Sequence, residues 1–326
     1  DFEISTPFSL RQIDPLALLQ LKETGRCEFW LSELLLDMVR PGDWRRRVKS
    51  VSLTVPCMVG PQVGFSATLR LLEHRFRASA IAKDKNDYPE RTDGSEDRFS
   101  TVNVPITAIA TSTGQSDSGV FELNFRDERY LPFEGAGAIS KWRLELPAAL
   151  RQFDYDSITD VIIQLRYTSV DGGDKLQQAA SGAVGEYIKS VEDLSREEGL
   201  FTAFDLRHDF PNGWYKATQL APGATERVVA IDGLLGRLPM FTQGRPAAKI
   251  QATDIYLFSP SALAAASLTL TTDTGDVTFT DGPAIGTLKC FVAHDASSTL
   301  TGWQLKIQDV TAPLDKVWMV VRYLLL

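Results

Sequence analysis

Cysteine is scarce in this chain. Three residues, Cys27, Cys57 and Cys290, stand among 326. An odd, low count in a long chain excludes a disulfide framework. Cys57 and Cys290 fall in apolar strand patterns, so buried free thiols are expected, consistent with synthesis in a reducing cytoplasm. Histidine is equally scarce, and no two of His74, His208 and His294 stand at metal-ligand spacing. No apolar run approaches the ~20 residues that span a bilayer. No signal peptide opens the chain, and Asp1-Phe-Glu-Ile begins in mid-pattern, as expected of a piece cut from a longer protein. Basic charge is in deficit: 34 Lys and Arg against 42 Asp and Glu leave a net −8. That excludes a general nucleic-acid surface, whose phosphate contacts need a basic footprint. The one basic run, Arg45–Lys49, reads as a solvated strand entrance.

Catalytic signatures are missing too. Gly64–Thr68 and Gly114–Ser118 each lack the second glycine of a nucleophile elbow. Gly135–Ser140 lacks the third glycine of a dinucleotide loop and leads into a strand pattern rather than a helix. The acidic clusters Asp84–Asp87 and Asp93–Asp97 break the calcium-loop pattern and read as solvated loop charge. Asp154 and Asp156 form a candidate carboxylate pair; the reading preferred is that Asp156 caps a short turn before a strand at Asp160. No catalytic residue, cofactor or metal is therefore assigned, and the chain reads as non-enzymatic.

Short strand patterns are abundant. Val51, Leu53 and Val55 alternate with polar residues, as do Phe65, Ala67, Leu69 and Leu71. Val161, Ile163, Leu165 and Tyr167 do the same, and the pattern recurs from Ile255 to Ile307. Period-two alternation means one buried and one wet face. Many such runs between Gly, Pro, Asn and Asp turns predict a mainly β fold of antiparallel β-sandwich lobes. The closing strand, Val317–Leu326, is apolar on both faces and is expected to be central or covered by another chain. Lys83–Arg98 is polar and turn-rich and reads as an exposed loop.

Helix signals are few. Asp14–Lys22 and Ser32–Met38 suit short helices. A longer one runs from Asp174 to Glu198, with Gly199 as its stop. Leu176, Ala180, Val184, Ile188, Val191 and Leu194 fall on one face of it. The predicted organisation is an N-terminal β lobe at 1–173, a linking helix at 174–199 and a C-terminal β-sandwich lobe at 200–326.

The most specific stretch is Phe121–Pro147. Phe121, Leu123 and Phe125 alternate in one strand pattern; Trp142, Leu144 and Leu146 alternate in another, and Trp142 is expected buried. Between them lies Arg126-Asp-Glu-Arg-Tyr-Leu-Pro-Phe-Glu-Gly-Ala-Gly-Ala138, which is not generic hairpin chemistry. This block resembles the C-terminal, B-subunit-binding region of the A subunits of bacterial Tc (toxin complex) insecticidal toxins. Asp14–Phe29, Arg46–Pro61, Thr113–Gly119 and Phe153–Thr168 carry the same resemblance. It is dense from about residue 10 to about residue 175. It thins beyond Leu200, where Leu206–Pro211 and Val317–Tyr323 still match. One departure stands out: Gln62-Val-Gly-Phe65 replaces a Tyr-rich segment, so contacts made by that loop are not carried over.

The resemblance implies an assembly module that docks onto the β-propeller face of the Tc B subunit, which with the C subunit encloses the cargo. It implies a homopentamer in the full-length A subunit, coupling that cargo cocoon to a translocation channel. It also implies a secreted or surface-associated complex, made in the bacterial cytoplasm. Partner contacts are assigned to Arg126, Asp127, Glu128, Arg129, Tyr130, Phe133 and Glu134, whose residue types suit an interface. Pro132, Gly135 and Gly137 are assigned to the backbone path. The same motif equally fits a fold-critical corner, and both readings stand. A carbohydrate-binding sandwich is the alternative; it calls for a row of solvent-facing Trp or Tyr on one strand face.

Overall fold

Pairing of the alternating strands decides where their apolar faces go. The computed structural model describes residues 2–58, 65–92, 94–104, 107–113, 120–124, 132–147, 151, 153–260, 263–285, 288–294, 296–311 and 314–326. Two compact units emerge, Asp1–Ile188 and Lys189–Leu326.

The first unit holds two antiparallel sheets. One runs Phe2–Ser9, Ile162–Asp171, Asp43–Pro56, Val120–Asn124 in spatial order. The other runs Arg26–Leu31, Ile139–Glu145, Phe65–Arg77, Phe99–Ser100, and Ala108–Thr113 also pairs with Phe65–Arg77. Register sets like beside like: Val51 faces Leu165, and Leu53 faces both Ile163 and Leu123. Trp142 lies between Phe29 and Leu71. Phe8, Leu53, Ile163, Leu165, Phe29, Trp142 and Leu144 are all buried. Opposite faces carry ion pairs, among them Glu28–Arg143 at 2.7 Å and Glu3–Lys49 at 2.5 Å.

Short helices close the ends of these strands. Pro15–Thr24 is capped by the Asp14 carboxylate, which accepts from the Ala17 N–H at 2.9 Å, and stops at Gly25 with φ +75°. Glu33–Val39 is capped by Ser32. The short turn Tyr155–Ser157 is capped by Asp154 rather than Asp156, because Asp154 precedes the turn and its carboxylate accepts the Asp156 N–H. Asp160 instead accepts from the Ser9 hydroxyl at 2.5 Å and the Arg11 N–H at 3.0 Å.

The second unit is a sandwich of a six-stranded and a four-stranded antiparallel sheet. The larger runs Leu200–Asp205, Trp318–Leu325, Ile250–Ser259, Leu288–Ala293, Thr280–Ile285, with Ser298–Thr299 pairing Ile250–Ser259. The smaller runs Arg227–Ile231, Trp303–Ile307, Leu268–Thr272, Gly275–Thr278. One core joins their inner faces: Ile255, Leu257, Met319 and Val321 from the first, Val229, Leu270, Trp303 and Leu305 from the second. Trp318–Leu325 is a central strand, paired on both sides. Its alternate residues, including Val320 and Leu324, are half-buried on the sheet's other face.

The 26-residue helix Gly173–Glu198 contains the division between the units. Leu176, Ala179 and Ala180 pack with Ala82 and Tyr88 in the first unit. At its other end the inward position is Ser195, wholly buried, while Leu194 is half exposed. The buried face follows a four-residue step from Val191, and that step passes over Leu194. Ser195 fits because its hydroxyl donates to the Glu192 carbonyl at 2.8 Å and accepts the Leu325 N–H at 3.1 Å. Gly199 ends the helix with φ +77°, its N–H reaching the Ser195 carbonyl.

Candidate docking surface

The Phe121–Pro147 block enters the first unit as the strand Val120–Asn124 and leaves it as Ile139–Glu145. Arg126, Asp127, Glu128, Arg129 and Tyr130 lie outside the described residues, as do residues 59–64 and most of Thr113–Gly119. The corner from Pro132 to Ala138 is described in full. Its backbone is stitched between the two sheets. Gly135 N–H donates to the Val48 carbonyl at 2.8 Å, and Val48 N–H to the Ala136 carbonyl at 2.7 Å. Ala138 N–H donates to the Arg46 carbonyl at 3.0 Å. On the other side Gly137 N–H donates to His74 Nδ1 at 3.1 Å.

Phe133, assigned to the partner surface from sequence, is wholly buried. Its ring meets Trp142 edge-on, with centroids 4.9 Å apart and planes at 85°. The reason is backbone geometry: φ at Phe133 is +68°, which turns the side chain inward. A bulky residue in that region costs about 1–2 kcal/mol. Burial of the ring, about 1.5–3 kcal/mol for a side chain of this size, offsets it. Glu134 follows and is exposed. Gly135 has φ +81° with open space around it, so conformation alone selects glycine there. Gly137 is selected by crowding, since a Cβ would stand 2.0 Å from the Arg75 carbonyl oxygen.

His74 is held in the neutral form by this arrangement. Nδ1 accepts from Gly137, and burial holds its pKa below the usual imidazole value. A proton on Nδ1 would set two N–H groups against each other.

Behind the corner lies a buried ionic network that sequence reasoning missed. Arg46, in the run read as solvated, is 2% exposed. Strand alternation turns it inward while Arg45 and Arg47 face out. Its Nη2 contacts Asp37 Oδ1 at 2.6 Å and the Arg40 carbonyl at 2.7 Å. The Tyr88 hydroxyl donates to Asp37 Oδ2 at 2.8 Å. Arg77, also buried, grips Glu33 through Nε at 2.8 Å and Nη2 at 2.7 Å. Burial, with Glu33 adding to it, pushes the Asp37 carboxyl up to about 6 in spite of Arg46. The loop Lys83–Arg98 is correspondingly less free than its composition suggests. Tyr88 and Arg98 are buried within it. Arg98 donates to the carbonyls of Asp87 and Pro89 and to Glu96, whose pKa it pulls down to about 2. The only sequence signals were single residues, Tyr88 and Arg98, inside a polar run.

Other candidate chemistry stays dispersed. Among the described residues no group of three His, Cys, Asp or Glu is placed to hold a metal ion. Burial pushes the Cys27 and Cys57 thiols up to about 12. His208 contacts Asp205 at 2.9 Å, and His294 contacts Asp254 at 2.7 Å. Among the described residues no helix is long and apolar enough to cross a membrane. The exposed large aromatics among them are Phe2, Tyr187, Phe201 and Tyr215. Both tyrosines sit on helices, so the described strands present no row of exposed Trp or Tyr for sugar stacking.

Residues 1–169 match the family described as the Tc toxin complex TcA C-terminal TcB-binding domain. The chain belongs to this family. The match spans both sheets of the first unit and the whole corner. A toxin subunit, YenA2 of Yersinia entomophaga, is 36% identical over 165 residues, which is 50% of this chain and 12% of that one. The chain thus corresponds to a small part of the relative it matches. Among solved structures, that of Melon necrotic spot virus gives a TM-score of 0.22 at 9% identity, covering 99% of this chain and 97% of that one. Cucumber necrosis virus gives 0.20 at 10% identity, covering 100% and 96%. Scores this low carry no argument about fold or function.

Proposed function

We propose that this chain is a docking module, not an enzyme: the part of a Tc-toxin-like A subunit that binds the B subunit. The observation that carries the reading is the TcB-binding-domain match over residues 1–169. The geometry of the corner supports a division of labour within the motif. Phe133, Gly135 and Gly137 hold the backbone path between two sheets. Glu134 at the exposed tip, with Arg126, Asp127, Glu128, Arg129 and Tyr130, forms the partner contact. Aromatic and arginine anchors within a charged rim are the chemistry of such contacts.

The finer steps belong to the same proposal. The partner surface is the β-propeller of the B subunit, carrying the C subunit with it. Five copies of the full-length A subunit form the receiving ring, whose closure needs two different patches on each protomer. Docking couples the cargo cocoon to the translocation channel, in a complex that acts outside the producing cell.

The test is binding of this chain to a purified B–C complex by biolayer interferometry, with mass from light scattering. Saturable binding that is lost on Arg129→Ala with Tyr130→Ala supports the proposal. A pentamer of this chain that binds no B–C complex refutes it. A monomer that fails is a weaker result, because five-fold avidity is absent.

A further inference from the structure

The corner that carries the exposed Glu134 is tied to one sheet by backbone and to the other by a histidine. Its turn is closed by the Ala136 N–H, which donates to the Phe133 carbonyl at 3.1 Å. Bonds from Gly135 and Ala138 to the Val48 and Arg46 carbonyls hold it to the strand Asp43–Pro56. Toward the strand Phe65–Arg77, the residue after the turn, Gly137, donates to His74 Nδ1 at 3.1 Å. The ring also donates to the Val102 carbonyl. With Nδ1 accepting, that donor is Nε2, so the pair of bonds requires the neutral ring.

Imidazole is the side chain whose charge ordinarily changes between about pH 5 and 8. His74 is half-buried, so protons reach it. A proton on Nδ1 faces the Gly137 N–H across 3.1 Å. Relief comes by turning the ring, which breaks the Val102 bond, or by moving the corner. Either way the Gly137 N–H loses its acceptor, and an unsatisfied donor is costly.

The charged groups around the ring are balanced among the described residues. Glu73 and Arg75 flank it on its own strand. Lys141 lies opposite Glu73 on Ile139–Glu145, and Arg47 lies opposite Gly137 on Asp43–Pro56. Glu90 pairs with Arg75, and Glu134 stands at the turn. The segment Phe99–Val104, which supplies the Val102 carbonyl, has no charged residue. Arg46 and Arg77, deeper in, are each matched, by Asp37 and Glu33. No surplus of one sign is placed to offset the loss of the Gly137 bond.

We propose that His74 makes docking pH-dependent. The neutral ring holds the corner, and with it the partner surface, in its binding form; the protonated ring releases Gly137 and weakens binding of the B subunit. The inference rests on the docking reading and adds its regulation.

The test is the apparent affinity of the 326-residue chain, densely immobilised so that copies act together, for a purified B–C complex. Biolayer interferometry reads it at about pH 7.5 and about pH 5.5, at constant ionic strength. The wild-type chain is expected to bind about tenfold more weakly at the lower pH. His74→Asn places an amide oxygen near the position of Nδ1, keeps the acceptor and cannot titrate. It is expected to stay, at both pH values, within about threefold of the wild-type chain at the higher one. Asp37, whose carboxyl is raised to about 6, is intact in both proteins, so the comparison isolates His74. Should the variant not fold, the wild-type chain decides: with three histidines, ring NMR follows His74 directly, and the loss of affinity must share its midpoint. Equal wild-type affinity at the two pH values overturns the inference and leaves the docking reading standing. So does an equal loss in His74→Asn, or a midpoint apart from that of His74. Absence of binding at both pH values overturns the docking reading itself, and this inference with it.

Discussion

Replacing Phe133 with Ala isolates the structural half of the family motif. The ring is wholly buried and edge-on to Trp142 at 4.9 Å. Phe-to-Ala changes in cores cost about 3–5 kcal/mol, a range that already contains the lost ring contact. For a unit of this size that is a melting shift of about 6–20 °C. The positive φ sharpens the test. Alanine keeps the strain of φ +68°, whereas glycine removes it. Phe133→Gly is therefore expected to be no less stable than Phe133→Ala, against the usual penalty of about 0.5–1 kcal/mol for glycine. Glu134→Ala, one residue away and exposed, is expected to stay within about 0.5 kcal/mol of the parent. Urea melts give the magnitudes, and hydrogen exchange on peptides of the first unit assigns the loss to the corner. A Phe133→Ala protein within about 1 kcal/mol of the parent, or a glycine variant much worse than alanine, would falsify the account of the corner.

Three further perturbations follow from the geometry of the first unit. Gly137→Ala sets a Cβ 2.0 Å from the Arg75 carbonyl oxygen, so it should cost at least about 1–3 kcal/mol by separating the sheets, read as a fall in melting temperature. Asp37 holds its proton up to about 6 in the folded chain, against an ordinary carboxyl value of 3.8, so its contribution is present below pH 3.8 and lost as pH rises through 6; Asp37→Asn should flatten that decline in a pH series of urea melts. His74 shifts the other way: its folded pKa lies below 6.5, so its contribution is full above pH 6.5 and lost as pH falls, which exchange at the Gly137 amide should show as faster opening near pH 5. In the second unit, Ser195→Ala orphans the Leu325 N–H and should cost about 1–3 kcal/mol, measured as lost protection of that amide.

The chain's own pattern determined the class of fold. Alternation at Val51–Val55, Phe65–Leu71 and Val161–Tyr167 leaves a strand only one apolar face to bury, and antiparallel sheets follow from that. Helix starts near Asp14 and Ser32 and the stop at Gly199 were local enough to read, because a cap acts on the next few residues. The motif block was legible as a family signature over Phe121–Pro147. Tertiary structure decided what each of its described residues does. Nothing local shows that Phe133 turns inward, since its positive φ depends on backbone bonds to Val48 and on the ring of Trp142, distant in sequence. Arg46 looked solvated because alternation in a charged run has no apolar partner to mark the inward face; Asp37 and Tyr88 reveal it only when three separate segments meet. Leu194 and Ser195 show the same limit in a helix. Periodicity counts apolar residues, and only the neighbouring strand's N–H makes a buried serine the better fit.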